Sequence, residues 1–295
     1  MRVLITGASG VLGSAIYQAF KRSGSYHVLG TAYTRAQDHP DLTFLNLLDE
    51  LALEQAIQSF KPDWLIHTAA ERRPDIAERD PDAATKLNVN VTSHLGRLAN
   101  QFNYVFDGLY PPYSPDSETN PLQLYGRTKR DGELALEHLD NKHALILRVP
   151  VLYGPAPKNS DSAVNILLDI VQDQSGKLYK MDHFAVRYPT NVLDIADFLA
   201  RLSLYSGNVP KILHYSGAEP FTKYEMCLIF SQILGVPHRH IIPESDPPTG
   251  IAATTRPRDC HLDCRETDSL RVEGGMGLCG FEEWWGRHLK GEKQS

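Results

Sequence analysis

Cysteine is scarce: Cys227, Cys260, Cys264 and Cys279 are the four in 295 residues, and no two form a CxxC pair. So sparse a set excludes a disulfide framework and a cysteine-built zinc site, and it fits a reducing cytosol or nucleus. Positive charge is not in surplus either. Thirty Lys and Arg against 36 Asp and Glu leave a formal net charge of −6, and the basic residues are scattered, so the electrostatic footprint of a nucleic-acid binder is missing. Missing too is any apolar run of the about 18 residues that a membrane span requires. MRVLITGASG passes straight into a strand pattern, without a basic and apolar leader. His67, His183 and His214 lie far apart and lack HxH or HExxH spacing, so no metal site is expected.

What is present is an alternation of strand and helix patterns. RVLIT is a short apolar run, a glycine-rich turn follows, and VLGSAIYQAFKRSG carries helical spacing closed by Gly24. YHVLGTAY, DLTFLNL, ELALEQAIQSF, DWLIHTAA and a helix starting near Pro81 continue the series. Repeated βα units with apolar strands predict an α/β fold, a Rossmann-type doubly wound parallel sheet covered by helices on both faces. Further on, YGRTKRDGELALEHL reads as a helix, HALILRVPVLYG as a strand, and Ser162 to Gln172 as a helix. YPTNVLDIADFLARLSLYSG reads as another helix, and KILHYSG and TKYEMCLIFSQILG as a strand and a helix before a proline-rich, polar tail. The expected division is a dinucleotide-type domain over residues 1–155 and a smaller C-terminal α/β lobe over 156–295. The helix near 190–204 is expected to pack back on the first domain.

TGASGVLG places Gly7, Gly10 and Gly13 between the first strand and the first helix. A tight turn needs Gly7, a pyrophosphate approaching the backbone needs Gly10 without a Cβ, and Gly13 lets helix and strand pack closely. The helix N-terminus then offers free N–H groups and partial positive charge to phosphates. The second strand ends in GTAYTRAQD, with no carboxylate until Asp38. An acidic residue there would bind the ribose 2′-hydroxyl of NAD. Arg35 instead suits a 2′-phosphate, which favours NADP(H) over NAD(H); the alternative is a solvated loop charge. Asp49 is either an adenine contact or the N-cap of the helix ELALEQA.

Tyr125 and Lys129 form a YxxxK pair in YGRTK. Four residues apart on a helix they share a face. The ammonium can then depress the phenol pKa and hold a nicotinamide ribose, while the phenol exchanges a proton with a carbonyl or alcohol. The glycine loop, HTAA, YVFDG, YGRTK and RVPVLYG together resemble the extended short-chain dehydrogenases/reductases, in the branch of dTDP-4-dehydrorhamnose reductase. The resemblance adds Thr6, Val11, Leu12, Ala69, Ala70 and Val149 to the cofactor contacts, and it implies a triad of Ser or Thr with Tyr125 and Lys129.

Four segments narrow the resemblance: AAERRPDIAERDPDAATKLNV, MDHFAVRYPTNVLDIA, HYSGAEPFTKYEM and TRPRDCHLDC. They are similar to the family of regulatory beta subunits of methionine adenosyltransferase. Sugar reductases carry a Thr-Ala-Val-Asp type loop after the fourth strand, where this chain has Glu71, Arg72, Arg73, Pro74 and Asp75. The resemblance implies a subunit that keeps the reductase fold, binds NADP(H), and associates with the catalytic alpha subunit to tune S-adenosylmethionine synthesis. Arg72 and Arg73 then line a site for anionic groups or are plain loop charges, and Arg187 joins the site-lining set. The other activity it leaves open is NADPH-dependent reduction of a nucleotide-linked 4-keto sugar.

LNV ends at Val89 and YVFDG begins at Tyr104, which leaves the 14 residues NVTSHLGRLANQFN. A helix of about ten residues and a strand of about five do not both fit. An interior strand of the family is therefore missing or replaced. Phe102 stands where the family has its triad hydroxyl, and Asn103 where it has Asp. A phenyl ring donates no hydrogen bond, and loss of one such donor costs on the order of 100- to 1000-fold in rate. Either part of the helix over Thr92 to Asn100 unwinds into a substitute strand, or the chain derives from a misassigned exon junction. Trp284 and Trp285, in FEEWWGRHLK, either anchor a partner or cover the small lobe.

Overall fold

The computed structural model describes residues 1–98, 112–117, 119–121, 123–137, 145–249 and 258–291. Its centre is a parallel sheet of β1 (Arg2–Thr6), β2 (His27–Ala32), β3 (Thr43–Phe44) and β4 (Trp64–His67), in the order β3-β2-β1-β4. Val3, Leu4, Ile5 and Thr6 are all buried, as expected of a central parallel strand covered on both faces. The register sets Thr6 opposite Thr31 on one side and His67 on the other. The carboxyl ends of three strands thus meet where ligands bind in open α/β sheets. β3 is shorter than DLTFLNL suggests, because only Thr43 and Phe44 pair, both of them exposed at the sheet edge.

Helix α1 (Val11–Arg22) follows β1 and ends on Lys21 and Arg22, which complement its dipole, before Gly24 turns the chain at φ 65°. Ile16 and Phe20 pack with Phe198, Leu199 and Leu202 of the later helix Val192–Leu202 in one core. Helix α2 (Glu50–Phe60) leads into β4. Then come α3 (Pro74–Arg79) and α4 (Pro81–Thr85), each with proline in its first turn, followed by a π-turn over Lys86–Asn90 and α5 (Val91–Leu98). The helical run therefore starts at Pro74, earlier than the Pro81 pattern indicates. Asp80 divides it by capping α4, accepting from the Ala83 N–H at 3.0 Å.

Helix α6 (Leu124–Glu137) carries the YGRTK motif and lies against α5 and the π-turn. Gly132 permits this approach, since a Cβ there would stand 2.8 Å from the Asn88 carbonyl oxygen and 3.3 Å from Thr92 Cγ2. Beyond it β5 (Ile146–Arg148) pairs with Ile212–His214, and β6 (Leu152–Tyr153) with Thr190–Asn191. The expected single strand over 144–152 is thus two short ones. Ser162 to Gln172 is likewise not helical throughout: a 3-10 turn, Asn159–Asp161, precedes it, and α7 (Ile166–Gln172) starts four residues after Ser162. The Ser162 hydroxyl donates to the Leu152 carbonyl at 2.7 Å and accepts from Val164 and Asn165 N–H groups. Local bonds of this kind compete with helix formation.

The remaining elements are β7 (Tyr179–Asp182), β8 (Thr190–Asn191), α8 (Val192–Leu202), β9 (Ile212–His214), α9 (Lys223–Leu234), β10 (Ile241–Glu244), α10 (Arg265–Ser269) and α11 (Phe281–Leu289). A second core joins Tyr153, Leu167, Phe230 and Phe281 to Trp284 and Trp285. The two tryptophans are 2% and 1% exposed, with ring centroids 5.3 Å (Trp284) and 5.7 Å (Trp285) from Tyr153. Of the two roles read for them, covering this core is the one present, and neither is available as a surface anchor.

Among the described residues β4 pairs only with β1, and β5 only with β9. Residues 99–111, which include Phe102, Asn103 and the Tyr104–Gly108 turn, lie outside the described residues. Thr92 to Leu98 are helical, so that part of the chain supplies no substitute strand. Among the described residues no helix is long and apolar enough to cross a membrane, and no group of three or more His, Cys, Asp or Glu could hold a metal ion.

Candidate functional site

Thr6 ends β1 fully buried, its hydroxyl 2.5 Å from His67 Nδ1. Gly7 then adopts φ 72°, a conformation that favours glycine, and a Cβ on it would come within 2.7 Å of the Ala69 backbone nitrogen. A Cβ on Gly13 would collide with the Gly7 carbonyl oxygen and stand 2.6 Å from Thr68 Oγ1. That threonine pins the turn, donating to the Thr6 carbonyl at 2.8 Å and to that of Gly7 at 3.3 Å. Gly10 differs, because among the described residues a Cβ there meets only the Gly7 oxygen, at 3.3 Å. Gly7 and Gly13 serve packing, whereas Gly10 keeps the loop's outer face clear.

Gly10 is also the N-cap of α1, and no side chain caps that helix. Val11 and Leu12 turn their side chains toward the first core while their N–H groups occupy the first turn, where a helix has no internal acceptors. An uncapped, glycine-lined helix N-terminus at the carboxyl edge of a parallel sheet fits a pyrophosphate. Ala69 and Ala70 follow β4 beside this loop, half-buried, and Val149 is buried in the first core. Asp49 caps α2, accepting from the Ala52 N–H at 3.0 Å. Of the two roles read for Asp49, capping is the one seen.

Arg35 is not a solvated charge. Its Nη1 and Nη2 stand 2.9 and 3.4 Å from the two carboxylate oxygens of Asp161, and Arg72 Nη2 stands 3.6 Å from Oδ1 of the same group. Arg73 is turned to Glu71, with Nε 3.0 Å from Oε1 and Nη2 3.1 Å from Oε2. Arg187 is held by Asp182 at 3.5 Å and donates to the Val186 carbonyl at 3.2 Å. Its described partners include none of the other candidates. Asn88, buried in the π-turn, accepts from the Glu71 N–H at 2.9 Å and donates to the Glu71 carbonyl and to Thr128 Oγ1, each at 3.1 Å. Thr128 in turn donates to the Tyr125 carbonyl at 3.0 Å. The arginine loop is thereby tied to the helix that carries Tyr125 and Lys129.

Lys129 is buried, and that burial brings its amine down to about 8, with Glu133 opposing. Burial, and then Lys129, hold His67 well below the ordinary histidine range, so its ring is neutral. Burial drives the Tyr125 phenol the other way, up to about 12, with the Arg72 charge pulling it down and Glu71 pushing it up. The expected depression of the phenol by Lys129 is therefore absent, because desolvation outweighs the neighbouring charges. Tyr125 is a neutral hydrogen-bonding group at neutral pH. The sequence pattern did not single out Asn88, although it lies inside the LNV signature, and nothing local marks Asp161.

The sequence pattern of the RmlD substrate binding domain family matches residues 1–276. Over 283 residues the chain is 46% identical to methionine adenosyltransferase 2 subunit beta of Xenopus tropicalis, covering 92% of this chain and 83% of the relative. The chain belongs to the methionine adenosyltransferase 2 subunit beta family. Among solved structures the fold is similar to a dTDP-4-dehydrorhamnose reductase from Clostridium acetobutylicum, at TM-score 0.80 and 23% identity over 98% of this chain and 99% of that one. It is also similar to the same enzyme from Bacillus anthracis in complex with NADP, at TM-score 0.79 and 22% identity over 99% of each chain. At such identity these two likenesses show the fold alone. It is the Rossmann-type α/β architecture that the βα pattern implies, carried here by the beta-subunit family.

Proposed function

We propose that the chain is an NADP(H)-binding regulatory subunit of a methionine adenosyltransferase assembly, which docks on the catalytic alpha subunit and tunes S-adenosylmethionine synthesis. The observation that carries this reading is the 46% identity to a beta subunit over 92% of the chain. The backbone of Gly7, Gly10 and Gly13 and the first turn of α1 would hold the pyrophosphate, with Arg35 and Arg72 favouring NADP(H) over NAD(H). Thr6, Ala69, Ala70 and Val149 would wall the site. Tyr125 and Lys129 would hold the nicotinamide ribose, and Arg73 and Arg187 belong to the wider lining. Bound NADPH would supply a hydride, but a phenol near 12 and a Phe102 in place of the triad hydroxyl support binding over turnover.

Residues 1–155 serve in this reading as the dinucleotide domain and 156–295 as the smaller lobe, in a protein of the cytoplasm or nucleus. The test is to mix the purified chain with the alpha subunit and measure co-elution and synthesis kinetics. A stable complex with altered KM or kcat is expected; separate elution at micromolar concentrations overturns the reading. A second reading, reduction of a nucleotide-linked 4-keto sugar, is favoured by the retained Tyr125 and Lys129 on one helix face. It requires NADPH oxidation that depends on such a sugar and is abolished by Tyr125→Phe. No turnover across such sugars removes it.

A further inference from the structure

Arg35 follows β2 and Arg72 follows β4, the two strands that flank β1 and its glycine turn. Both reach the same carboxylate, Asp161, which a different part of the chain delivers from the 3-10 turn beyond β6. That turn is built to hold its place. Asp161 N–H donates to the Lys158 carbonyl at 2.9 Å, Asn159 Nδ2 donates to Asp169 Oδ1 of α7 at 2.6 Å, and Ser162 ties the turn to β6. The Asp161 side chain is 15% exposed, and the two guanidinium groups are its ion-pair partners.

A carboxylate lying across the Nη1 and Nη2 donors of a guanidinium takes the same planar, two-point seat that a phosphate monoester takes. Arg72 adds a second cation to one oxygen of that seat. The result is a two-arginine anion site at the mouth of a dinucleotide-type loop, filled by an anion of the chain's own. The two ends of the bridge adjoin different cores: β2 ahead of Arg35 packs Val28 against the first, and Val164 and Leu167, shortly after Asp161, belong to the second.

We propose that Asp161 is a specificity-determining residue of this site: an internal competitor that occupies the Arg35–Arg72 seat and is displaced by the 2′-phosphate of an incoming NADP(H). The inference rests on the dinucleotide reading above. A dinucleotide with a free 2′-hydroxyl brings no anion to the seat and leaves Asp161 where it is. A dinucleotide with the 2′-phosphate takes the arginines and releases the bridge between β2 and the Asn159–Asp161 turn. Asp161 thus lowers affinity for NADP(H) while leaving NAD(H) untouched, and it makes the spacing of the two cores sensitive to which dinucleotide is bound.

The experiment titrates the full chain with NADPH and with NADH, comparing the unaltered protein, Asp161→Asn, and Asp161→Asn combined with Arg35→Ala. Asp161→Asn is expected to bind NADPH roughly 3- to 30-fold more tightly with NADH binding within about twofold, and the added Arg35→Ala to erase the gain. If Asp161→Asn does not fold, Asp161→Ser is read in the same way. NADPH affinity that is unchanged or weakened by Asp161→Asn, or raised equally for NADH, overturns the competitor assignment while the dinucleotide reading stands. Failure of the unaltered protein to bind either dinucleotide overturns that reading, and the proposal with it.

Discussion

Glu133 and Arg148 meet through two parallel bonds, Arg148 Nη2 donating to Glu133 Oε2 at 2.8 Å and Nε to Oε1 at 3.1 Å, with each side chain 3% exposed. Arg148 also donates to the Pro115 carbonyl at 2.9 Å and lies 3.3 Å from His214 Nε2. Burial, and then the Arg148 charge, hold His214 down near about 4, so its ring is neutral and accepts. The pair fastens α6 to β5, and Glu133 is one helical turn from Lys129. Removing one partner leaves a buried charge uncompensated, which costs ~3–5 kcal/mol. Arg148→Met is expected to lose stability on that scale in urea unfolding. The double variant Arg148→Met with Glu133→Leu should recover much of it, since a well-packed apolar replacement is often neutral. A single variant as stable as the parent contradicts the assignment.

Lys129 gives the fold a signature in alkali. Burial lowers its amine from 10.5 to about 8, so between those values the unfolded chain holds a proton that the folded chain has lost. Stability contributed by this group is therefore flat below about 8, rises with pH up to 10.5, and is flat again above. The rise amounts to at most roughly 3 kcal/mol. Lys129→Met should remove it, so that unfolding midpoints of the two proteins run parallel below pH 8 and diverge above. Parallel curves throughout would show that the folded amine titrates as an ordinary lysine.

The three glycines of the turn separate by what a methyl group would strike. Gly13→Ala drives a Cβ into the Gly7 carbonyl and Thr68, an overpacking expected to cost ~1–3 kcal/mol or more. Gly10→Ala meets one oxygen at 3.3 Å, at a backbone φ of −79° that alanine adopts freely. It should melt within a few degrees of the parent yet bind NADPH at least tenfold more weakly, because its methyl occupies the face a pyrophosphate approaches. Thermal melting and dinucleotide titration on both variants check the pair. Normal binding by Gly10→Ala would remove that face from the site.

What could be read from the sequence divides along one physical line. The strand RVLIT, the glycine turn, and the helices around Ile16, Tyr125 and Phe198 follow from local periodicity, and they lie where the pattern puts them. Contacts between distant parts of the chain do not show in any window. Arg35 and Asp161 are 126 positions apart, and no spacing rule joins them. FEEWWGRHLK is compatible with a buried or an exposed face, and only the rings of Tyr153, Phe230 and Phe281 around Trp284 and Trp285 decide for burial. The Ser162 segment has helical composition, yet one hydroxyl with three backbone partners delays its helix to Ile166.

Asn88 offers the sharpest test of how the arginine loop is held. Its amide oxygen takes the Glu71 N–H and its amide nitrogen serves both the Glu71 carbonyl and Thr128, so each end of the side chain has its own task. Asn88→Ala strands two backbone groups and a hydroxyl, at ~1–3 kcal/mol for buried polar groups left unmade. Asn88→Asp is nearly the same size and keeps the acceptor. It loses both donations, however, and sets a carboxylate against the Glu71 carbonyl in a buried site, so it should be the more damaging of the two near neutral pH. The gap between them should narrow in acid as the aspartate takes up a proton and can again donate. Urea unfolding of both variants near neutrality and in mild acid measures this. In hydrogen exchange, the Glu71 amide should lose its protection in Asn88→Ala and keep more of it in Asn88→Asp. An Asn88→Asp protein as stable as the parent at neutral pH would mean that the donations to Glu71 and Thr128 do not hold the loop.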